Sequence, residues 1–435
     1  MTKALQYLLD LPARHDRGVH SGITSVCSAH PLVIEAALLE AAAHDAFALI
    51  EATCNQVNQD GGYTGMTPQS FRDFVLGIAT RIDFPADRIL FGGDHLGPNP
   101  WRKESAKDAM RKAIDMTTAY AQAGFSKIHL DASMACLDDA NPLPAKTIAE
   151  RSAKLAVSAE LGAKRGGHPP PAYIIGTEVP VPGGAAEELD VLQPTTTKSA
   201  DETISLHQQA FSRAGIDDAF TRCIGLVVQP GVEFGHANVI HFDRLGAAEL
   251  ENWRSERGRL VFEAHSTDYQ TAEALSGLVK GGFSILKVGP GLTFAMREAF
   301  YALDQIAGHI CDDYPTDALF NKMEQIMLAE PGYWEDYYTG SDADKLIQRH
   351  FSYSDRIRYY WNNGQAAAAV DQLFSALDRV AIPETLISQY MPRQYARVAA
   401  GSLPATARDL VLSAIRNALA PYTRACHPER EGIPK

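Results

Sequence analysis

Carboxylates and imidazoles recur in this sequence at one kind of place, the end of a short apolar run. Asp94-His95 closes Ile-Leu-Phe-Gly-Gly, Glu178 follows Tyr-Ile-Ile-Gly-Thr, Glu233 and His236 follow Ile-Gly-Leu-Val-Val, and His265 follows Val-Phe-Glu-Ala. A divalent cation such as Zn²⁺ takes imidazole nitrogens and carboxylate oxygens, and a catalytic site leaves one position open for substrate. The ligand candidates are His95, His265 and either His236 or Glu233, with Glu178 as a further ligand or the partner of one. Any single histidine is more simply a hydrogen-bonded core residue; several at separate run ends point to one cation. Asp94 and Glu178 are the candidate catalytic carboxylates. Asp94, beside a presumed ligand, suits a proton carrier or an acid that orients an imidazole. His129 and Asp131 lie two apart within one run and share an orientation, and His129 is read as structural. Gly92-Gly93 let the backbone approach a bound group closely.

Glu51, Asn55, Asp131, Ser266, Lys287 and Gly289 fall at the same run ends and are the candidate substrate contacts. The loop 55–66 (NQVNQDGGYTGM) offers amides that suit polyol hydroxyls and glycines that suit a lid. His265-Ser266-Thr267 and Gly289-Pro290-Gly291 follow the last two runs, where barrels commonly hold phosphate on backbone N–H groups. Lys287 would add a cation there, or close a buried ion pair with Glu263.

Eight such apolar runs, at 22–29, 47–53, 88–94, 125–133, 172–178, 222–230, 259–266 and 283–289, alternate with amphipathic segments at 31–44, 67–82, 105–123, 146–163, 200–214, 247–257, 271–280 and 293–310. An open doubly wound sheet could hold eight parallel strands, but units this short and regular favour an α/β TIM (β/α)8 barrel over residues 1–310. Active sites on that fold sit at the C-terminal strand ends, where the candidates lie. From 311 to 435 the pattern is helical and strand-poor, an all-helical C-terminal appendage. Its segment YSDRIRYYW, 353–361, could cap the barrel mouth or form a subunit contact. Residues 427–435, polar with Pro and Gly, are expected to fray.

A net charge of -13 argues against a nucleic-acid partner. The longest apolar stretch, 34–53, is interrupted by Glu35, Glu40, His44, Asp45 and Glu51, so no membrane span is expected. The first twenty residues lack an apolar leader, and six cysteines without a CxxC pair read as reduced thiols, which suits the cytoplasm.

The strings GITSVCSAHP, IEATCNQVNQDGGYTGMTP, GGDHLGPNPW, KIHLDASMAC, GTEVPVPGG, VEFGHANV, EAHSTDYQ and LKVGPGLTFAMREA resemble the Z-subunit (GatZ/KbaZ) family of D-tagatose-1,6-bisphosphate aldolase over nearly the whole chain. That resemblance implies a TIM barrel in galactitol or amino-sugar breakdown that supports a separate catalytic aldolase subunit. Some members have been labelled tagatose-6-phosphate kinases, and others are related to metal-dependent ketohexose 4-epimerases. A fainter similarity runs to class II fructose-bisphosphate aldolases. It implies an acid and zinc ligand at Asp94-His95, counterparts at Asp131-Ala132-Ser133 and at Glu178 before Gly183-Gly184, and a third histidine at His265. The aldolase Val-His-Gly motif becomes Glu233-Phe234-Gly235-His236, and its Gly-Gly-Ser-Gly phosphate turn becomes Ala-His-Ser-Thr.

The expectation is therefore a class II tagatose-bisphosphate aldolase subunit with a divalent metal site of its own, zinc being the expected ion. The alternative is a stand-alone metal-dependent ketohexose 4-epimerase working by retro-aldol chemistry. Partners would be a ketohexose or its (bis)phosphate, a catalytic aldolase subunit and further copies of the chain. A kinase is disfavoured, because no GxxxxGK[ST] string occurs and the lysine of GGFSILK lies inside a strand run.

Overall fold

The computed structural model describes residues 2–177 and 192–428. Its strands are β1 (Ile23–Cys27), β2 (Ala48–Thr53), β3 (Ile89–Leu96), β4 (Lys127–Leu130), β5 (Ala172–Ile175), β6 (Cys223–Val227), β7 (Glu233–Phe234), β8 (Val239–Ile240), β9 (Val261–Ala264) and β10 (Ile285–Val288). Eight of these pair in parallel, from β1 through β6 to β9 and β10, and β10 pairs back onto β1 to close the barrel. The β7–β8 pair is a separate antiparallel ribbon between β6 and β9. Every residue of β3 is buried, as expected of strands with helices on one side and a packed interior on the other.

The outer helices are α2 (Pro31–Ala43), α3 (Pro68–Arg81), α4 (Ala106–Gln122), α5 (Ala145–Gly166), α6 (Thr197–Arg213), α7 (Asp217–Thr221), α8 (Arg244–Arg257), α9 (Ala272–Lys280) and α10 (Pro290–Ile310), after α1 (Lys3–Asp16) at the N-terminus. Side chains of Thr67, Ser105, Thr196 and Thr271 accept hydrogen bonds at the starts of α3, α4, α6 and α9, satisfying N–H groups that a helix start leaves open.

The sequence reading did not anticipate α1. Its Ala4, Leu5, Leu8 and Leu11 pack with Ile23, Leu49, Leu90, Ile174, Ile224, Val261 and Ile285, plugging the lower end of the barrel.

The C-terminal region is helical: α11 (Ala318–Ala329), α12 (Asp342–Phe351), α13 (Gly364–Leu377), α14 (Glu384–Tyr390), α15 (Pro392–Ala399) and α16 (Ala407–Cys426). It does not stand apart from the barrel. Helix α16 packs against α2, α9, α10 and β1. Arg408 and Arg416 of α16 pair with Glu35 and Glu40 of α2, and Gly22 N–H donates to Cys426 O at 2.9 Å. No helix among the described residues is long and apolar enough to cross a membrane.

Candidate metal centre at the barrel mouth

Inside the barrel, side chains alternate along each strand, so the residue two positions above an apolar floor residue also points inward. That places Glu51 above Leu49, Glu263 above Val261 and Lys287 above Ile285, with Lys127 of β4 at the same level. Lys127 Nζ lies 2.6 Å from Glu51 Oε1 and 2.6 Å from Glu263 Oε2, all three side chains being fully buried. Lys287 Nζ is paired with Glu51 and lies 2.5 Å from Asp94 Oδ1 and 3.8 Å from Glu263 Oε1.

Burial opposes charge on these groups, yet each cation's neighbouring carboxylates hold the Lys127 and Lys287 ammoniums charged, and the two lysines hold Glu263 well below the usual carboxylate range. The reading of Lys287 as an ion pair therefore describes its contacts, with Glu51 and Asp94 nearer than Glu263. Glu51, expected to meet substrate, is consumed by the two lysines.

One layer higher stand Asp94, His95, His129 and His265, each buried and each offering a ligand atom within 4.8 Å of the others. Ring centroids are 5.0 Å apart for His95–His129, 4.9 Å for His95–His265 and 5.2 Å for His129–His265. Consecutive strand residues ordinarily face opposite ways, so Asp94 and His95 could not both point inward on a regular strand. A bulge between Gly93 and Leu96 and a left-handed His95 (φ 48°) turn both toward the axis. Ser266, next to His265, is left-handed as well (φ 53°). Gly92 leaves room for a protein side chain rather than a bound group, since a Cβ there would overlap the Glu51 carboxylate.

Each imidazole is oriented by a neighbour. Asp131 Oδ2 lies 2.7 Å from His95 Nδ1, and its Oδ1 accepts from Ser133 N and Oγ at 3.0 and 2.6 Å, so Asp131 serves His95 rather than substrate. His129 Nδ1 lies 2.9 Å from Asp94 Oδ1, and donating to that carboxylate leaves its Nε2 unprotonated. His265 Nε2 is 3.0 Å from Glu263 Oε1. These contacts leave His95 Nε2, His129 Nε2 and His265 Nδ1, and the buried His129 Nε2 has no hydrogen-bond partner. Burial opposes the charged form of Asp94, but the charges of His95 and Lys287 hold its carboxyl well below the ordinary range. Burial depresses His265 to about 3. In His95 burial acts the same way, but Asp94 and Asp131 outweigh it and raise that imidazole. Three neutral-capable imidazoles, one carboxylate and an orphaned buried nitrogen form a donor set that fits a divalent cation.

The structure does not bring the other ligand candidates to this cluster. His236 has both ring nitrogens engaged elsewhere, Nδ1 with Ser352 and Ser354 Oγ at 3.2 and 3.3 Å and Nε2 with Tyr337 O at 3.1 Å, so it ties the β7–β8 ribbon to the C-terminal region. Glu233 Oε1 accepts from Phe234 N–H at 2.9 Å, and burial pushes its carboxyl up to about 7. Glu178 and Gly183-Gly184 lie outside the described residues. His129, read as structural, joins the cluster. The signal was present, because 127, 129 and 131 share one phase and that phase faces the barrel axis.

Above the cluster a cavity open to solvent is lined by Cys27, Asn55, Asp94, His95, His265, Ser266, Lys287 and Gly289, with Tyr63, Arg358 and Tyr359. Arg358 and Tyr359 belong to the segment 353–361, which caps the mouth. The Tyr63 ring sits edge-on to Tyr359 at 5.1 Å. The loop after β2 is tied rather than loose: Tyr120 OH donates to Val57 O at 2.8 Å, and Asn58 Oδ1 accepts from Asp60 and Gly62 N–H. The N–H groups of Gly289 and Gly291, expected to hold phosphate, donate to Asp268 Oδ1 at 3.0 and 2.7 Å. A carboxylate of the chain fills that anion seat.

Residues 8–427 match the family model described as D-tagatose-1,6-bisphosphate aldolase subunit GatZ/KbaZ-like. The chain is 52% identical over 418 residues to a D-tagatose 6-phosphate 4-epimerase of Agrobacterium fabrum, covering 96% of this chain and 98% of that protein. It is 49% identical over 416 residues to D-tagatose-1,6-bisphosphate aldolase subunit GatZ of Escherichia coli O6:H1, covering 96% and 99%. A crystal structure of a probable tagatose 6 phosphate kinase from Sinorhizobium meliloti superposes with a TM-score of 0.86 at 54% identity, covering 93% of this chain and all of that one.

Proposed function

From the premise that the chain belongs to the D-tagatose-1,6-bisphosphate aldolase subunit GatZ/KbaZ-like family, we propose that it is itself an enzyme, a metal-dependent 4-epimerase of a ketohexose 6-phosphate. The observation that carries this is the convergence of His95, His129, His265 and Asp94 beneath an open cavity. A subunit whose role is only to support another chain has no need of such a donor set. The relative named as a D-tagatose 6-phosphate 4-epimerase favours the same chemistry.

His95, His129 and His265, with Asp94 beside them, would hold the cation, zinc by the nature of its donors. When bound, it supplies Lewis acidity toward the oxygens of a ketose. Asp94, kept ionised, takes the proton from the C4 hydroxyl. The C3–C4 bond then breaks, leaving the electron pair on the three-carbon enediolate and an aldehyde at C4. Rotation of the aldehyde and re-formation of C3–C4 from its other face invert C4, and the proton returns to O4, with no oxidant or reductant consumed. Glu178, from the sequence, is the second carboxylate to test. Tyr63 and Tyr359, ring against ring, close the mouth over the reacting carbons and limit the escape of the aldehyde.

A second reading, an aldolase subunit that assembles with a catalytic partner and further copies of itself, is favoured by the relatives named GatZ. Either role belongs in the cytoplasm. The purified chain alone, given D-tagatose 6-phosphate, is expected to yield D-fructose 6-phosphate. Turnover seen only after a separate aldolase subunit is added would favour the second reading. Elemental analysis is expected to find about one divalent ion per chain in wild type and in His236→Ala, and little in His129→Ala. Full metal content in His129→Ala would remove that residue from the ligand set.

A further inference from the structure

We infer that Arg358, carried over the barrel mouth by the C-terminal region, is the seat for the phosphate group of the sugar. The inference rests on the ketose-phosphate reading above and adds to it where the phosphate lies. Two cationic side chains line the cavity. Lys287 is neutralised by Glu51 and Asp94. Arg358 has no carboxylate within 4.0 Å among the described residues, although the protein is acidic overall.

The carboxylates closest in charge effect are already committed. Asp268 accepts from Gly289 and Gly291, and Asp355 accepts from Thr293 Oγ1 at 2.6 Å and faces Arg297 at 3.6 Å. A guanidinium drawn into a cavity without a counter-charge is costly, and an anionic ligand would offset that cost.

The donor count agrees. Arg358 Nη1 donates to the carbonyl oxygens of Ser354 and Asp355, and Nη2 donates to Tyr359 OH at 2.8 Å. Of five guanidinium N–H groups, the one on Nε and one on Nη2 have no acceptor among the described residues, and this pair is the edge that grips phosphate oxygens.

Arg358 also lines a side chamber that shares Cys27, Gln56, Tyr63 and Gly289 with the main cavity and adds Ser28, His30 and Asn362. His30 Nδ1 accepts from Leu32 N–H at 3.3 Å, so its proton sits on Nε2, and burial lowers the imidazole to about 4 and keeps it neutral. His30 Nε2–H is thus a second donor for the same anion.

The test titrates inorganic phosphate and, separately, D-tagatose 6-phosphate into the purified full chain by calorimetry. Arg358→Gln should weaken both by about 10- to 100-fold, the range of a charge-assisted hydrogen-bond pair, with Arg358→Lys between that and wild type. The preference for the phosphorylated over the unphosphorylated sugar should collapse through KM more than through kcat. Wild-type affinity for both anions in Arg358→Gln overturns the inference, as does a wild-type chain that binds neither. Should Arg358→Gln fail to fold, crystals of wild type soaked in D-tagatose 6-phosphate decide, and phosphate density anywhere but beside Arg358, or none, overturns it. Because the inorganic phosphate titration reads binding without turnover, an Arg358-dependent affinity there in a chain that does not epimerise would sink the functional reading and leave this one standing.

Discussion

The lower and upper halves of the barrel interior are built on the same strands and solve opposite problems. Below, Ile23, Leu49, Leu90, Val261 and Ile285 meet the leucines of α1 in a fully apolar layer. Two residues further along, β2, β9 and β10 present Glu51, Glu263 and Lys287, which with Lys127 of β4 form a buried lattice of alternating charge beneath the imidazoles. Burying apolar area stabilises at about 25 cal/mol per Å², whereas burying paired charge returns little net stability and holds only while every partner is present. The lower half therefore supports the fold. The upper half is retained for what it positions: Glu263 orients His265, and Lys287 holds the Asp94 carboxylate ionised.

The sharpest way to break this contrast is to remove one charge from the lattice. Lys127→Met leaves Glu51 and Glu263 without the nearer of the two cations that bridge them, and should cost about 3–5 kcal/mol in urea unfolding, the range for a buried charge stripped of its partner. A loss below about 1 kcal/mol would mean that Lys287 or water compensates, and the lattice would be looser than drawn.

Truncation in the lower half should act on stability alone. Leu8 of α1 is fully buried in the apolar layer, and Leu8→Ala should cost about 2–5 kcal/mol as lost transfer energy plus a cavity. Metal content per folded chain should be unchanged, because no metal candidate touches that layer. Loss of the ion in Leu8→Ala would show that the two halves are coupled and would end the division of labour argued here.

The barrel was legible because eight apolar runs at regular spacing have few other solutions. The site was legible only where phase within a strand decides orientation. Lys127, His129 and Asp131 share one phase, and reading His129 as structural missed that this phase faces the axis. The bulge that turns both Asp94 and His95 inward has no period-2 signature, since it depends on pairing with β4. His236 and Glu233 misled because a run end close in sequence to the rim was taken as the rim itself, whereas the β7–β8 ribbon carries His236 to the C-terminal region. Helix α1 was missed because the repeating unit begins at β1, and an amphipathic segment ahead of it has no place in the count. Arg358 lies more than 60 residues beyond the last strand, and the sequence left its segment, 353–361, as either a cap on the mouth or a subunit contact, whereas the folded chain brings it to the cavity.

The smallest effect concerns the rim, where burial is incomplete and the charge contrast should soften. Glu233 has an ordinary pKa of 4.5 and is pushed up to about 7, chiefly by burial, with the Asp268 charge adding to the shift. The folded chain therefore binds this proton more tightly than the unfolded chain. The stability it contributes is complete below about pH 4.5 and is lost as pH rises through about 7. The difference, 7 minus 4.5 or about 2.5 pH units, sets a ceiling of about 3 kcal/mol on that loss. Glu233→Gln keeps the shape and cannot ionise, so its unfolding free energy, subtracted from that of wild type at each pH, should reveal a wild-type decline confined to the window between 4.5 and 7. His30 and His265, which burial holds low and which lose stability on the acid side, cancel in that subtraction. A flat difference curve would mean that Glu233 is already ionised and solvated in the folded chain, and the rim would then belong with the surface rather than with the buried charges beneath it.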